Sequence, residues 1–203
     1  MVQWARGGYS VSKIEEAKRN KSKKKRNRLI FRTSILVVLL AALVFALVSN
    51  FIKDQPEVKA GVEAPPFQLK QLNGDEAGTY RTFDEFKGKG IMLNFWATYC
   101  KPCEEEMPYM QSLYDEYQDK GIEIIAVSMD VTELVVTDFV ERHKLTFPVL
   151  HDIKQEVTEL YGIVPLPTSL FINPEGEVVE IVEGPLTLSK LEGYLKQIQP
   201  DEL

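Results

Sequence analysis

The longest apolar run of the chain lies near its N-terminus. Residues 33–52 are twenty consecutive uncharged residues, and those from 35 to 48 are all apolar. As an α-helix, twenty residues span about 30 Å, the thickness of the hydrocarbon core of a bilayer. The apolar residues show no stripe with a 3.6-residue period, and basic residues abut one end of the run. The pattern therefore favours a transmembrane helix over a buried core helix.

Beyond a short polar linker, the pattern alternates between strand and helix periods. Residues 91–97 and 122–129 are nearly all apolar, as expected for central parallel strands buried on both faces. Further strands are predicted at 67–69, 148–150, 169–172 and 178–182, and helices at 101–118, 132–143, 155–161 and 187–198. The segment Asn173-Pro174-Glu175-Gly176 predicts a hairpin turn between the last two strands. This order predicts an α/β sandwich with a central mixed sheet.

The N-terminal part of the chain is basic and the rest is acidic. The 203 residues carry a formal net charge of −6, from 24 basic and 30 acidic side chains. Residues 1–32 hold 11 of the basic and 2 of the acidic ones, a net of +9, and the remaining 171 residues have a net of −15. Basic flanks stay in the cytoplasm and contact anionic lipid, so the C-terminal part is expected outside the cell membrane. Its acidic balance argues against nucleic-acid binding, which needs a basic face.

These observations predict four segments. They are a basic cytoplasmic tail (1–32), a transmembrane signal-anchor (33–52), a linker (53–60) and one folded domain (61–203). A cleaved signal peptide is the alternative for the apolar run. The residues that follow the run lack an Ala-x-Ala cleavage pattern, and the run is long for a signal peptide. An uncleaved anchor is therefore the prediction.

The chain has two cysteines, and both lie in Cys100-Lys101-Pro102-Cys103. The motif follows the strand at 91–97 and opens the helix at 101–118. Free N–H groups and the helix dipole favour a thiolate at Cys100, while Cys103 lies deeper on the first turn. A disulfide that closes a ring of only four residues restricts the unfolded chain little, and it therefore stabilises the folded state by only about 2 kcal/mol. Such a disulfide adds little to stability but is well placed for thiol-disulfide exchange. In that reaction one thiol attacks a partner disulfide and the other resolves the mixed disulfide.

Two other interpretations of the cysteines remain open. One is a structural disulfide, and the other is half of a metal site completed by His143 or His151 or by a second copy of the chain. Covalent haem attachment is excluded, because it requires a histidine directly after the second cysteine and that residue is Glu104. We expect no resident metal and no cofactor.

Two segments are recognisable. The residues 95–103, Phe-Trp-Ala-Thr-Tyr-Cys-Lys-Pro-Cys, with Pro108 five residues later, resemble the thioredoxin superfamily, and residues 164–172, Val-Pro-Leu-Pro-Thr-Ser-Leu-Phe-Ile, resemble its cis-proline loop and following strand. Together with the anchor and Glu106-Met107-Pro108, the resemblance is greatest to the ResA-type membrane-anchored thiol-disulfide oxidoreductases. It covers roughly residues 24–200 and implies a thioredoxin-like three-layer fold. A peroxidase is disfavoured, because peroxiredoxins place Thr where this chain has Ala97.

The resemblance implies a role for each motif residue. Cys100 would be the nucleophile and Cys103 the resolving thiol of a redox-active disulfide. Pro167 would be the cis-proline beside it, leaving the main chain of Leu166 free to pair with substrate. The substrate surface would also include Pro102 and Tyr99, which stands where the family usually has Trp.

One departure concerns proton transfer. Thioredoxins carry a buried Asp under the motif, and the matching residue here is Asn94, which cannot exchange a proton. Glu106 lies three residues after Cys103 and so on the same helical face. We expect Glu106 to act as the missing base, with its pKa raised if it is partly buried. The alternative is that Glu104, Glu105 and Glu106 only compensate the helix dipole.

The resemblance also implies partners. The substrate would be a protein disulfide, that of the Cys-x-x-Cys-His motif of apocytochrome c, and the electron donor an integral membrane protein of CcdA type. Three alternatives remain: an oxidase, a reductase for sporulation or general envelope repair, and a copper-handling assembly module. Copper modules of similar fold use Cys-x-x-x-Cys, one residue more than the spacing here.

Overall fold

The N-terminal part of the chain is described only in part. The computed structural model describes residues 21, 27, 30–45 and 58–200. The chain divides into two units between residues 55 and 56. Residues 30–45 are helical, while 46–52 of the predicted anchor, most of the predicted tail and 53–57 of the linker lie outside the described residues. Among the described residues, no helix is both long enough and apolar enough to cross a membrane.

The C-terminal unit is built on one seven-stranded sheet. Its strands are β1 (Gln68–Gln71), β2 (Tyr80–Thr82), β3 (Gly90–Trp96), β4 (Ile122–Ser128), β5 (Val149–His151), β6 (Thr168–Ile172) and β7 (Val178–Glu183). Its helices are α1 (Lys101–Asp119), α2 (Glu133–His143), α3 (Glu156–Leu160) and α4 (Leu188–Gln197), with a 3₁₀ helix at Phe83–Phe86. The strand order is β2-β1-β5-β4-β3-β6-β7. The sheet is mixed, because β3, β4 and β5 are parallel and the other pairs are antiparallel.

The predicted elements are present. Each strand and helix predicted beyond the linker is found within two residues of its predicted bounds, and the hairpin turn between β6 and β7 is closed by Gly176 N–H donating to the Asn173 carbonyl at 2.9 Å. Gly176 has φ +91°, a conformation that glycine adopts without strain. The short strand β2 and the 3₁₀ helix were not predicted. Neither has a periodic pattern, because β2 has three residues and the 3₁₀ helix only four.

The sheet separates two apolar cores. Alternate residues of β3 face opposite layers, so Met92 and Trp96 pack with α1, α2 and α4, whereas Leu93 and Phe95 pack with the 3₁₀ helix and α3. All seven residues of β3 and all seven of β4 are buried, as predicted for central strands. By the same alternation, Asn94 lies on the face that α1 covers.

The ends of three strands meet at one edge of the sheet. Trp96 at the end of β3 pairs with Ser128 at the end of the parallel strand β4. On the other side of β3, Phe95 pairs with Thr168, the first residue of the antiparallel strand β6. The loops that follow β3 and β4 and the loop that precedes β6 therefore lie together. The Cys-x-x-Cys motif belongs to the first of these loops.

Candidate active site

The two cysteines differ in exposure. They form a disulfide with an S–S distance of 2.01 Å. Cys100 is the N-cap of α1, and its Sγ accepts a hydrogen bond of 3.3 Å from the Cys103 N–H. Cys100 is 9% exposed and Cys103 is fully buried. A partner can therefore approach the sulfur of Cys100, while that of Cys103 is accessible only through Cys100.

Asp130 holds the loop that leads into the motif. Its Oδ2 accepts a hydrogen bond of 2.9 Å from the Thr98 N–H, and its Oδ1 accepts one of 2.6 Å from the Thr98 hydroxyl. The Ser128 hydroxyl donates to Oδ2 at 2.9 Å, and the ring Nε2 of His151 lies 2.7 Å from the Asp130 carbonyl oxygen. Because Thr98 is two residues before Cys100, these bonds fix the start of the motif relative to β4.

The roles of Asp130 and Thr98 were not predicted from the sequence. A signal was present, since Asp130 follows a buried strand that is parallel to the strand before the motif. The carboxyl ends of neighbouring parallel strands meet at one edge of a sheet, where ligands usually bind. His151, which was an open candidate for completing a metal site, is buried, and its ring contacts the main chain at Asp130.

The loop before β6 forms the other side of the motif. The Leu166–Pro167 peptide bond is cis, the geometry that the resemblance implies, and Val164–Pro165 is a second cis bond that was not foreseen. Leu166 packs against the core cluster that contains both cysteines. The Pro167 carbonyl accepts from the Gly184 N–H at 2.8 Å and the Pro165 carbonyl from the Thr168 hydroxyl at 2.7 Å. Within residues 58–200, the main-chain N–H and C=O of Leu166 have no hydrogen-bond partner.

Glu106 is buried in the first half of α1, with 1% of its surface exposed. Its Oε1 accepts a hydrogen bond of 2.7 Å from the Asn94 side-chain amide, and its Oε2 accepts one of 3.0 Å from the Leu186 N–H. Burial raises the pKa of Glu106 above its usual value, and the two hydrogen bonds oppose that rise. Glu106 is thus a buried carboxyl one turn from Cys103, held by donors on β3 and on the loop before α4.

The three consecutive glutamates of α1 have different environments. Glu104 pairs with the Lys101 ammonium at 3.1 Å and with the His143 ring at 3.3 Å. The hydrogen bond and charge of Lys101 lower the pKa of Glu104, and Glu105 is exposed. Only Glu106 faces the interior, so the i, i+3 spacing from Cys103 separates it from its neighbours as expected.

Exposed apolar side chains lie on the motif and on the loop before β6, beside the exposed charged side chain of Lys101. Tyr99 is 73% exposed, Val164 is 81% exposed, and Pro102 is exposed on the first turn of α1. Exposed apolar side chains that border a reactive group are typical of a protein-binding surface. Among the described residues, no three acidic, histidine or cysteine side chains are grouped so that they could hold a metal ion.

Together these groups define a class of protein. A mixed sheet between helical layers carries a disulfide at a helix N-terminus, with one accessible sulfur, one buried sulfur and a buried carboxyl. That arrangement suits thiol-disulfide exchange, which needs one reachable sulfur and a second thiol to resolve the mixed disulfide. The fold and the site are those of a thioredoxin-like oxidoreductase.

Comparison with known proteins agrees. The AhpC/TSA family matches residues 60–181. The chain is 56% identical over 189 residues to the thiol-disulfide oxidoreductase ResA of Oceanobacillus iheyensis, covering 93% of this chain and 98% of that protein. It is 47% identical over 176 residues to ResA of Bacillus thuringiensis, covering 87% and 99%. The chain belongs to the ResA family of thiol-disulfide oxidoreductases.

Solved structures support the same fold. A putative thiol:disulfide interchange protein DsbE from Chlorobium tepidum superimposes with a TM-score of 0.65 at 27% identity, over 70% of this chain and 99% of that one. StoA from Bacillus subtilis superimposes with a TM-score of 0.56 at 31% identity, over 64% and 96%. The thioredoxin-like fold predicted from the two motifs is therefore confirmed.

Proposed function

We propose that this enzyme is anchored in the cell membrane and reduces protein disulfides on the extracytoplasmic face. The observation that carries the proposal is the unequal exposure of the two sulfurs, 9% for Cys100 and 0% for Cys103, above the buried Glu106. This inequality assigns an order to the two thiols. The anchor and the direction of reaction rest on the sequence and on the ResA resemblance.

The reaction begins from the reduced pair. The Cys100 thiolate attacks one sulfur of the partner disulfide, a mixed disulfide forms, and the first partner thiolate leaves. The Cys103 thiolate then attacks Sγ of Cys100, which restores the Cys100–Cys103 disulfide and releases the second partner thiolate. Two electrons pass to the partner, and its two sulfurs take up two protons. Cys103 must lose its proton before it attacks, and we assign that proton to Glu106 because Asn94 cannot accept it.

The partner segment binds beside Cys100. Tyr99 and Pro102 supply the apolar surface on one side, and Leu166 supplies a free main-chain N–H and C=O on the other, next to Pro167. An extended peptide that pairs with Leu166 would gain main-chain hydrogen bonds that do not depend on its sequence. Side-chain contacts with Tyr99 and Pro102 would then select the partner.

The location determines where the electrons come from. The apolar run at 33–52 and the net charge of +9 before it predict a cytoplasmic N-terminus, contact with anionic lipid and an external domain. An external domain needs a reductant that crosses the membrane, and the resemblance implies an integral-membrane donor of CcdA type. The resemblance also implies the substrate, the Cys-x-x-Cys-His disulfide of apocytochrome c before haem is attached.

A trapping experiment tests the order of the thiols and the substrate. In Cys103→Ser the resolving thiol is gone, so we expect Cys100 to accumulate as a mixed disulfide with an apocytochrome c peptide that contains Cys-x-x-Cys-His. The matched variant Cys100→Ser should trap nothing. If Cys100→Ser traps the peptide instead, the assigned order is wrong. If Cys103→Ser traps unrelated oxidised peptides equally well, the enzyme is a general reductase.

Three further measurements test direction and location. The redox potential of the full chain should lie near that of thioredoxin, about −270 mV, whereas a value near about −120 mV would indicate an oxidase. The protein should stay with the membrane fraction after a high-salt wash, and an external protease should digest residues 58–200 in intact spheroplasts. A processed soluble form as the main cellular species would contradict the anchor.

A further inference from the structure

Only one end of the Asn94 side-chain amide is hydrogen-bonded. Its Nδ2 donates to Glu106 Oε1 at 2.7 Å and to Ser169 Oγ at 3.0 Å. Its Oδ1 is buried and has no hydrogen-bond partner within the described domain. Asn94 and Ser169 are directly opposite one another on β3 and β6, and both are fully buried. Buried polar atoms in folded proteins are nearly always paired, so the unpaired oxygen requires an explanation.

The observed orientation fits the ionised form of Glu106. A carboxylate only accepts hydrogen bonds, and here each of its oxygens receives one donor, from Asn94 or from the Leu186 N–H. The two hydrogens of the Asn94 amide are then both used, one toward Glu106 and one toward Ser169. The Asn94 Oδ1 is then the one polar atom of this side chain without a hydrogen-bond partner among residues 58–200.

The same orientation does not fit the protonated form. The Leu186 N–H can only donate, so Oε2 must remain an acceptor and the acid proton belongs on Oε1. There it would point at the Asn94 Nδ2, which is also a donor. A half-turn of the amide puts Oδ1 in that place, where its two lone pairs can accept from the Glu106 acid and from the Ser169 hydroxyl. A serine hydroxyl can accept in one state and donate in the other.

We propose that Asn94 is a positioning residue whose side-chain amide turns over when Glu106 gains or loses its proton, with Ser169 reversing its hydrogen bond at the same time. This rests on the proton-transfer role of Glu106 proposed above. The exchange keeps the buried acid hydrogen-bonded in both protonation states. It thereby lets Glu106 take up and release a proton without leaving its site in the core.

The rotation of the Asn94 amide requires no other ionisable side chain. The groups that hydrogen-bond Glu106 are Asn94 from β3, with Ser169 from β6 behind it, and the Leu186 main chain before α4, while the Cys100–Cys103 disulfide lies earlier on its own helix. Burial raises the pKa of Glu106, the two hydrogen bonds oppose that rise, and no charged side chain contributes. The amide therefore responds to one titration, that of Glu106.

Nuclear magnetic resonance of the full oxidised chain, labelled with ¹⁵N at asparagine, tests the rotation. The buried carboxyl is titrated in parallel by its infrared band, which is assigned by its loss in Glu106→Gln. We expect the Asn94 amide resonances to shift with the same midpoint as Glu106. The amide hydrogens should contact Ser169 and Glu106 above that midpoint and lose both contacts below it. In Glu106→Gln the Asn94 shift should disappear.

Asn73 is a built-in control. Its amide donates to the carbonyls of Leu145 and Phe147, and its Oδ1 accepts from the Val149 N–H, so both ends are occupied by main-chain groups that do not titrate. Its resonances should not follow the Glu106 midpoint.

The possible failures are distinguishable. If Glu106 titrates while Asn94 keeps the same contacts on both sides of the midpoint, the rotation is wrong and the proposed function stands. If the Glu106 band does not titrate at any pH at which the chain stays folded, the rotation is also wrong, because there is no change for it to follow. If Glu106→Gln reduces disulfides with the pH profile of the parent, the proton-transfer role itself fails, whatever Asn94 does.

Discussion

Asp130 and Glu106 are both buried carboxyl groups beside the Cys100–Cys103 pair, Asp130 after β4 and Glu106 within α1. Asp130 accepts three hydrogen bonds, two from Thr98 and one from Ser128. Glu106 accepts two, and one of them comes from an amide whose other end is unpaired. Asp130 is thus held by the loop that begins the motif, whereas Glu106 is held by the core behind it.

The difference indicates two uses of a buried acid near one reactive sulfur. The bonds of Asp130 to the Thr98 N–H and hydroxyl tie Cys100 to the end of β4, so this acid acts through geometry. The pKa of Glu106 is raised mainly by burial, which brings its titration closer to neutral pH, where a proton acceptor is most useful. We therefore expect changes at Asp130 to affect stability first, and changes at Glu106 to affect the pH dependence of the chemistry first.

The largest effect on stability is expected for Asp130→Ala. The change leaves the Thr98 N–H and two hydroxyls without their acceptor, and we expect the free energy of unfolding to fall by about 3 kcal/mol. Urea unfolding of the full chain measures it. The control is Asp138→Ala, an exposed acid on α2, which should change the value by less than about 0.5 kcal/mol. Equal stability of the two variants would show that the Asp130 bonds do not hold the loop.

The next effect is expected for Glu106→Gln. Glutamine keeps the volume of the side chain and, like the protonated acid, has one accepting and one donating end, but it cannot titrate, so we expect the rate of disulfide reduction to fall by about a hundredfold. The pH profile of Cys100 alkylation in the reduced enzyme should also lose the step that belongs to Glu106. Stopped-flow alkylation and reduction of an oxidised peptide measure both.

Glu105→Gln is the matched control, because Glu105 is the exposed neighbour on the same helix. It should reduce and alkylate like the parent. If Glu106→Gln behaves the same way as this control, Glu106 is a structural residue and the proton passes by another route.

A smaller effect is expected for Thr98→Val. Valine removes the hydroxyl that donates to Asp130 Oδ1 and leaves the main-chain bond to Oδ2 in place, so stability should fall by about 1 kcal/mol. The pH profile of Cys100 alkylation should be unchanged, since Glu106 is untouched. Thr137→Val, whose hydroxyl bonds only to carbonyls of its own helix, is the control and should be nearly silent. A displaced pH profile in Thr98→Val would mean that the two acids are not independent.

The smallest effect is expected in the pH dependence of the free energy of unfolding, when the parent is compared with Glu106→Gln. In the folded state the pKa of Glu106 is raised above the value of 4.5 that it has in the unfolded chain. At a pH between these two pKa values, the folded protein keeps a proton that the unfolded chain has lost. The slope of stability against pH is then negative, so Glu106 makes the parent less stable as pH rises from about 4.5. Glu106→Gln has no titrating carboxyl at this position and so does not lose stability in this way. Its free energy of unfolding relative to the parent should therefore increase as pH rises from about 4.5.

Urea unfolding at a series of pH values measures this difference, with Glu105→Gln again as the control. A constant difference between Glu106→Gln and the parent across the range would mean that the carboxyl does not titrate with a raised pKa in the folded protein.

The sequence by itself determined six of the seven strands of the sheet, the four helices packed on it and the reactive pair. Continuous apolar runs predicted β3 and β4, and the hairpin followed from Asn173-Pro174-Glu175-Gly176, because these signals are local and are written in neighbouring residues. The Cys-x-x-Cys spacing at a strand-to-helix junction indicated the exchange chemistry. The i, i+3 spacing likewise distinguished Glu106 from Glu104 and Glu105, since helical geometry alone decides which of them shares a face with Cys103.

Only the tertiary structure decided what surrounds these residues. Thr98 contacts Asp130 across 32 positions of the sequence, Asn94 contacts Ser169 across 75, and Leu186 contacts Glu106 across 80. No periodicity links such residues, because the contacts exist only after strand order and register have brought three segments to one edge of the sheet. Burial is decided at the same stage, and it is burial that raises the pKa of Glu106 and leaves Cys100 as the one reachable sulfur of the pair.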